Sequence, residues 1–232
     1  MPTARAVFAA TLAWFLAGHP AFAALDPGTL IKLSTSVLKV EVIRAQGGYS
    51  LGSGDAPVEI TEYLDFECPV CASFAVIQMP TIKDQLINTG KVRWRYRDFP
   101  LPNHRYSRFS AHAAQCAGAQ GRFFEMHDQL FYHHQWAQTG KDPSRLFREL
   151  AQAAAVNLDT YDACMEAGRY AQRIEFSRQE GDQLLVNGTP TFFANGKQLN
   201  FRRLPTSDDF KAVVDSIIAH SPAKPRTAPA HD

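Results

Sequence analysis

The chain has 232 residues, of which 45% are hydrophobic and 20% are charged, and its 24 basic side chains nearly balance 23 acidic ones. A chain of this size and composition can bury a core of its own, without a structural metal or dense cross-linking. The formal net charge of +1 excludes an electrostatic case for binding nucleic acid or a membrane surface, so neither is predicted as a partner.

Residues 1–23 have the pattern of a secretory signal peptide. Arg5 precedes an apolar stretch over residues 6–17, and Ala21 and Ala23 supply the small side chains of a cleavage site. The apolar stretch is shorter than the roughly 20 residues that span a bilayer. We therefore expect cleavage after Ala23 and export to the periplasm, with an uncleaved anchor or a buried helix as the alternatives.

Export changes the expected state of the cysteines, of which the chain has four. An even number of cysteines in an oxidising compartment favours disulfides over reduced thiols or zinc sites. Four cysteines allow three pairings, and their spacing alone selects none of them. The four are Cys68, Cys71, Cys116 and Cys164.

The elements that follow the signal sequence are predicted to alternate between strands and helices. An N-terminal extension over residues 24–56 holds a strand at residues 37–43 and a turn-rich stretch over residues 46–55. The apolar pattern then predicts a strand, a helix interrupted at Pro80, and a second strand. These three elements cover residues 57–66, 72–86 and 91–99.

Residues 103–187 are predicted to be helical. Asp142 precedes Pro143, a residue that suits the first position of a helix, and Asp159 is predicted to cap the next helix. So long a helical stretch between two groups of strands indicates an insertion into a domain rather than a part of its sheet.

The C-terminal part returns to strand and helix. Asn195-Gly196 is a strong hairpin signal between two short strands, and the last helix begins near Thr206 or Ser207. The proline-rich tail over residues 221–232 is predicted to be disordered. The order predicts an α/β fold with a mixed central sheet flanked by helices. Its domain consists of residues 57–102 and 188–220, with residues 103–187 as the helical insertion.

The motif Cys68-Pro69-Val70-Cys71 lies where the predicted strand passes into a helix. If Cys68 is the N-cap, Pro69 occupies the first helical position, where its missing N–H costs nothing. The free amides and the positive end of the helix then favour the Cys68 thiolate and lower its pKa. Cys71 lies nearly one turn further along, within reach of Cys68. We therefore predict that Cys68 attacks and that Cys71 resolves the mixed disulfide.

The same motif also occurs as half of a zinc site or as a structural cross-link. A zinc site needs two further ligands, and the chain has no second Cys-x-x-Cys. His112 and Cys116 share a helix face, but a partly buried histidine with a hydrogen-bond partner explains that spacing without a metal. We predict no metal and no cofactor. The alternative of another class is a metal-handling or chaperone-like protein that uses the thiols of the motif as ligands.

Four stretches of the chain resemble the DsbA-like branch of the thioredoxin superfamily, in particular its bacterial DsbA- and DsbG-type periplasmic proteins. Their order and spacing match over roughly residues 50–218. The stretches are EYLDFECPVC at residues 62–71, YRDFPL at residues 96–101, AAQCA with QGRFFEMH within residues 113–127, and GTPTFF at residues 188–193.

The resemblance implies a thioredoxin fold with a helical insertion and assigns roles to further residues. The peptide bond between Thr189 and Pro190 is expected to be cis, beside the cysteine pair, with neighbouring backbone that pairs with an extended substrate. Glu62 matches a buried acidic position below the sulfurs that shuttles a proton for the resolving thiol, with an exposed place at the strand edge as the alternative. Asp65 and Glu67 are expected to be surface charges.

Some members of this family carry a second disulfide in the helical insertion. The resemblance therefore implies a structural bond between Cys116 and Cys164, against two free buried thiols or a pair that exchanges with the catalytic centre. It also implies cysteine-containing or unfolded exported proteins as substrates and a membrane redox partner that recycles the pair.

The direction of electron flow stays open within the family. Val70 stands where the best-known oxidase of this branch has a histidine, and Thr189 resembles members assigned to isomerisation or reduction. Dedicated isomerases dimerise through a separate N-terminal domain, and the roughly 30 residues before Pro57 are too few for one. We therefore expect a monomer and a net dithiol oxidase, with isomerase or reductase as alternatives.

Overall fold

A computed structural model describes residues 47–220. The predicted signal peptide, the strand predicted at residues 37–43 and the tail predicted from residue 221 lie outside the described residues. Within them, a mixed five-stranded sheet and eight α-helices form the fold. None of the described helices is long and apolar enough to cross a membrane.

The strands of the sheet lie in the order β1-β3-β2-β4-β5. The central pair, β2 and β3, is parallel, and the other three pairs are antiparallel. A crossover helix between β2 and β3 accounts for the parallel pair, as the strand–helix–strand order predicts. The strands are β1 (Tyr49–Leu51), β2 (Val58–Leu64), β3 (Val92–Asp98), β4 (Thr191–Ala194) and β5 (Lys197–Gln198).

Two of the helices and a π-helical turn at Lys83–Ile87 connect β2 to β3, five helices form the insertion between β3 and β4, and one helix follows β5. A short 3-10 helix at His134–Gln138 lies within the insertion. The helices are α1 (Pro69–Ile77), α2 (Met79–Ile82), α3 (Ser107–Gly118), α4 (Phe123–Tyr132), α5 (Ser144–Ala153), α6 (Leu158–Glu166), α7 (Ala171–Gln183) and α8 (Ser207–His220).

Three local expectations are wrong. The stretch predicted as turn-rich contains β1, whose three residues pair with β3 although they carry little strand signal of their own. Pro143 is the N-cap of α5 and not its first residue, because the Asp142 side chain accepts from the Ser144 amide and starts the helix one residue later. The cap of α6 is Asn157, whose side chain accepts from the amide of Thr160.

One face of the sheet packs against α1 and α8 through an aromatic cluster. The ring centroid of Phe74 lies 4.8 Å from that of Phe192, and the Phe210 ring lies 5.1 Å from Trp94. All four side chains are buried. Burying an aromatic side chain removes roughly 150–250 Å² from water. This cluster fixes α1, and with it the residues at its N-terminus, against the strands.

The other face of the sheet packs against the insertion and the segment before β4. Tyr63, Phe99, Val186 and Phe193 form a second buried cluster there. Helix α7 comes close to this cluster at Gly181, where an added Cβ would lie 2.5 Å from the Phe99 ring. The cluster therefore holds the chain leading into β4 near the carboxyl end of β2.

Candidate active site

The carboxyl end of β2 delivers the cysteine motif to the first turn of α1. Cys68 is the N-cap of α1 with extended backbone angles, φ −77° and ψ 120°, and Pro69 is the first helical residue. The Cys68 carbonyl accepts from the amide of Ala72 at 3.1 Å, and its own amide donates to the Asp65 carbonyl at 3.1 Å. The sulfur of Cys68 therefore lies at the positive end of the helix.

Cys68 and Cys71 are both buried and both present as free thiols. A hydrogen bond from Cys71 lowers the pKa of the Cys68 thiol, and burial partly opposes this. Thr189 and the amides of Cys71 and Val70 lower it further, so that the pKa falls from 9.0 to about 6. A value in this range makes Cys68 mostly thiolate at neutral pH.

The second thiol has the opposite electrostatic environment. Burial raises the pKa of Cys71 well above its usual range, and the neighbouring Cys68 and the Glu62 carboxylate raise it further. Cys71 is therefore a protonated donor when Cys68 is a thiolate. Cys68 is the nucleophile because it lies at the N-terminal end of α1, and Cys71 holds its proton because it faces the core.

Glu62 lies inside the sheet face that packs on α1. The two-residue period of β2 places it on the same face as Ile60 and Leu64, and only 2% of its surface is exposed. Burial raises the pKa of its carboxyl to about 8, although the indole N–H of Trp94, which donates to Oε2 at 2.9 Å, lowers it. Glu62 is thus mainly protonated at pH 7 and close enough to influence the Cys71 thiol.

The loop before β4 approaches the cysteine pair from the other side. The Thr189–Pro190 peptide bond is cis. The Cys68 thiol donates to the carbonyl oxygen of Thr189 at 3.3 Å, across 121 residues of sequence. The structure thus brings together Glu62, both motif cysteines and the Thr189–Pro190 pair.

Asp65 and Glu67 are not the surface charges that the sequence predicts. Asp65 is 2% exposed, and its carboxylate accepts from the amides of Glu67 and Leu101 and lies 2.7 Å from Nδ1 of His104. Glu67 is partly buried and accepts from the Tyr106 amide. The loop amides need acceptors once they are buried, and these two carboxylates supply them. The bond from the Glu67 amide to the Asp65 carboxylate is that of an Asx turn. Aspartate favours such turns, and this is the one local signal in the sequence for the role of Asp65.

Cys116 of α3 and Cys164 of α6 are joined by a disulfide with a Cα–Cα distance of 5.8 Å. His112 lies beside them, and its Nε2 accepts from the Tyr170 amide at 3.3 Å. Side-chain atoms of these three residues lie within 4.8 Å of one another. The bonded sulfurs are not thiolates, however, so this trio does not offer a metal-ligand set in the disulfide state.

Comparisons with known proteins agree with this geometry. The family model described as Thioredoxin matches residues 44–216, well over half of the chain. The chain belongs to the thioredoxin family.

Two solved structures superpose on most of this thioredoxin-family chain. Oxidised BdbD from Bacillus subtilis superposes with a TM-score of 0.66 at 23% identity, covering 75% of this chain and 94% of that one. Oxidised Mtb DsbA superposes with a TM-score of 0.59 at 27% identity, covering 75% and 93%. The chain therefore has the DsbA-like form of the thioredoxin fold, a mixed sheet interrupted by helices.

Curated relatives of two kinds match this thioredoxin-family chain. Probable disulfide bond formation protein D of Bacillus anthracis is 24% identical over 177 residues, which cover 72% of this chain and 76% of that protein. The Na(+)/H(+) antiporter NhaA 3 of Salinispora tropica is 37% identical over 148 residues, which cover 63% of this chain but 21% of that protein. The chain thus spans about a fifth of the length of this antiporter.

Proposed function

We propose that the chain is a thiol:disulfide oxidoreductase that exchanges a Cys68–Cys71 disulfide with cysteines of extracytoplasmic proteins, acting as a net dithiol oxidase. The observation that carries this proposal is the placement of the two thiols, with Cys68 at the N-terminal end of α1 against the Thr189 carbonyl and Cys71 buried behind it. The pKa values shift in opposite directions accordingly, lowered to about 6 at Cys68 and raised at Cys71. Thiol exchange needs one good leaving and attacking thiolate, and a partner thiol that keeps its proton until it is needed.

In the oxidising direction, a substrate thiolate attacks the sulfur of Cys68 in the oxidised pair. The bond between Cys68 and Cys71 breaks, and Cys71 leaves as a thiolate that takes up a proton. A second substrate thiolate then attacks the substrate sulfur of the mixed disulfide, and Cys68 leaves as a thiolate. The substrate gains a disulfide, and its two electrons remain on the enzyme as the reduced pair.

The neighbouring residues support this chemistry. The low pKa of Cys68 makes it a good leaving group in the second step. Glu62 is the proposed proton carrier for Cys71, since a buried carboxyl with a pKa of about 8 is able to give or take a proton near neutral pH. Thr189 and Pro190 hold the backbone beside Cys68, where an extended substrate segment would pair with it.

Three alternatives remain to be separated from the oxidase. A reductase or an isomerase of the same fold would use the same two thiols with a different potential. A metal-handling protein would use them as ligands. Within residues 47–220, however, Cys68 and Cys71 do not gather with a third His, Cys, Asp or Glu into a group that could hold a metal ion. This ligand geometry favours exchange over metal binding.

The setting of the reaction follows from the N-terminal sequence and from the relatives. The signal-peptide pattern of residues 1–23 supports export to an oxidising compartment such as the periplasm. The Bacillus anthracis relative, a probable disulfide bond formation protein, supports protein thiols as substrates. We propose a monomer that a membrane redox partner returns to the oxidised state.

The reduction potential of the Cys68–Cys71 pair, measured in glutathione buffers, tests the direction. A potential of about −120 mV supports the oxidase, and one of about −270 mV would identify a reductant. The Cys68→Ser variant is expected to lose exchange with reduced, unfolded protein substrates. Exchange that persists in this variant would contradict the assigned nucleophile, and stoichiometric zinc or copper bound through both thiols would contradict the enzyme.

A further inference from the structure

A pocket of about 530 Å³ opens directly beside the cysteine motif. Val70 of the motif and Thr189, whose carbonyl contacts the Cys68 thiol, belong to its lining, together with the segment that follows β5. Pockets of roughly 300–1,000 Å³ are the usual size for small-molecule sites, so this one has room for one or two side chains of a polypeptide. A polypeptide that brings a cysteine to Cys68 and extends along Thr189 would place flanking residues in this pocket.

The charge of the pocket is one-sided. Its lining residues include two arginines, Arg202 and Arg203, and neither aspartate nor glutamate. Arg203 is already neutralised, because its guanidinium donates to both carboxylate oxygens of Asp209, at 2.8 and 3.0 Å. Arg202 is exposed, and no hydrogen bond or ion pair joins it to the described part of the chain. The pocket that borders the cysteine motif therefore presents an uncompensated positive charge among its lining residues.

The rest of the lining suits an extended peptide. Val70 is 43% exposed, and Leu199 and Phe201 are partly buried hydrophobic side chains at the same pocket. Gln198 and Asn200 add amide groups. Apolar surface with a few polar groups binds the side chains and backbone of a polypeptide. A single unpaired cation at such a surface discriminates between polypeptides by their charge.

We propose that this pocket selects substrate segments with an acidic side chain close to the reacting cysteine, and that Arg202 is the residue that recognises the acid. The inference rests on the proposed exchange function and names the substrate class of that same site. An exposed guanidinium contributes modestly, so the expected preference for acidic over neutral segments is about two- to fivefold in rate. It is also expected to shrink as salt is added, because a partner charge at the surface is screened.

The test compares extended peptides that contain one cysteine and either Glu, Gln or Lys two or three residues away. Each is mixed in excess with the oxidised protein, and reduction of the Cys68–Cys71 pair, with two peptides joined in a disulfide, is followed by acid quenching, thiol alkylation and mass spectrometry. The wild type is expected to react faster with the Glu peptide than with the Gln peptide, and slowest with the Lys peptide. Arg202→Gln is expected to bring the Glu/Gln ratio close to one, and Arg202→Glu to invert it.

Lys197→Gln is the matched control, because Lys197 is exposed, lies on β5 and is absent from the pocket lining. It removes the same charge and is expected to keep the wild-type ratio. The intrinsic reactivity of each peptide cancels, since every variant meets the same peptides.

Two failures are distinguishable in this experiment. If no peptide reduces the Cys68–Cys71 pair of the wild type, the proposed exchange function fails, and this inference fails with it. If Arg202→Gln keeps the wild-type Glu/Gln ratio, only the assignment of Arg202 and of acidic substrates is overturned.

Discussion

Replacing Cys71 with alanine is expected to raise the pKa of Cys68 from about 6 towards its ordinary value of 9.0, because the hydrogen bond from Cys71 is the largest cause of the lowering. Cys71→Ser is the matched control, since the serine hydroxyl keeps a donor at the same position. With Cys116 and Cys164 bonded to each other, Cys68 is the titrating thiol in both variants.

The structure sets the size of the effect. A pKa of about 6 leaves about 90% of Cys68 as thiolate at pH 7, whereas a pKa of 9.0 leaves about 1%. The rate of alkylation at a single pH understates this change, because a thiolate of higher pKa is also a stronger nucleophile. The pH dependence is therefore the proper measurement, followed by the ultraviolet absorbance of the thiolate and by the alkylation rate.

The same shift predicts how the redox equilibrium depends on pH. The pKa of Cys68 is depressed in the folded, reduced protein, so its contribution to stability is complete above pH 9 and is lost as the pH falls through about 6. The full shift corresponds to about 4 kcal/mol, of which about 1.4 kcal/mol is realised at pH 7. For a two-electron couple this is about 30 mV towards a stronger oxidant.

Two outcomes would contradict the assigned role of the Cys71 thiol. If the inflection of Cys71→Ala stays near pH 6, the helix end and the loop amides set the pKa of Cys68, and the Cys71 thiol does not. If Cys71→Ser shifts as far as Cys71→Ala, a hydroxyl does not replace the thiol as donor. The expected order of inflections is wild type lowest, the serine variant intermediate and the alanine variant highest.

Three further predictions concern buried groups. In the wild type, resolution of a mixed disulfide is expected to accelerate as the pH rises through about 8, where Glu62 loses its proton, and Glu62→Gln is expected to lose this inflection in quenched-flow measurements. Burial raises the pKa of Asp98 from 3.8 to about 6, so stability falls as the pH rises between these two values and is fully reduced above about 6. Asp98→Asn is expected to stabilise the protein by up to about 3 kcal/mol at pH 7 and by almost nothing at pH 4 in denaturant titrations. Replacing both Cys116 and Cys164 by alanine opens a loop of 48 residues and is expected to cost about 4 kcal/mol of unfolding free energy, with exchange at the motif retained.

The local part of the site is predictable from the sequence. A strand period, a proline suited to the first helical position and two cysteines three residues apart place the motif at a strand-to-helix junction, and the structure has β2 and α1 there. These signals lie within a few residues of one another. The burial of Glu62 is predicted by the resemblance and not by a local signal, and in the structure Glu62 lies on the same face of β2 as Ile60 and Leu64.

The parts that the sequence misses depend on distant contacts. Asp65 is buried because the Leu101 amide and His104 come to it from 36 and 39 residues away. Strand β1 forms because β3 offers it an edge, although the sequence of Tyr49–Leu51 is too short to indicate a strand. The sequence does not indicate that Arg202 lines a pocket, because Val70 and Thr189 come to line the same pocket only when the chain folds.

The asymmetry of the cysteine pair combines these two kinds of information. The largest cause of the lowered pKa of Cys68 is local, namely the hydrogen bond from Cys71, and the amides of the first turn add to it, whereas the contribution of Thr189 comes from across the fold. The raising of the pKa of Cys71 comes mainly from burial against the sheet, with Glu62 from another element adding to it. A Cys-x-x-Cys turn transplanted to an exposed helix would therefore keep its nucleophile but lose the proton-holding partner. The motif itself identifies Cys68 as the attacking thiol, and burial against the β2 face keeps Cys71 protonated.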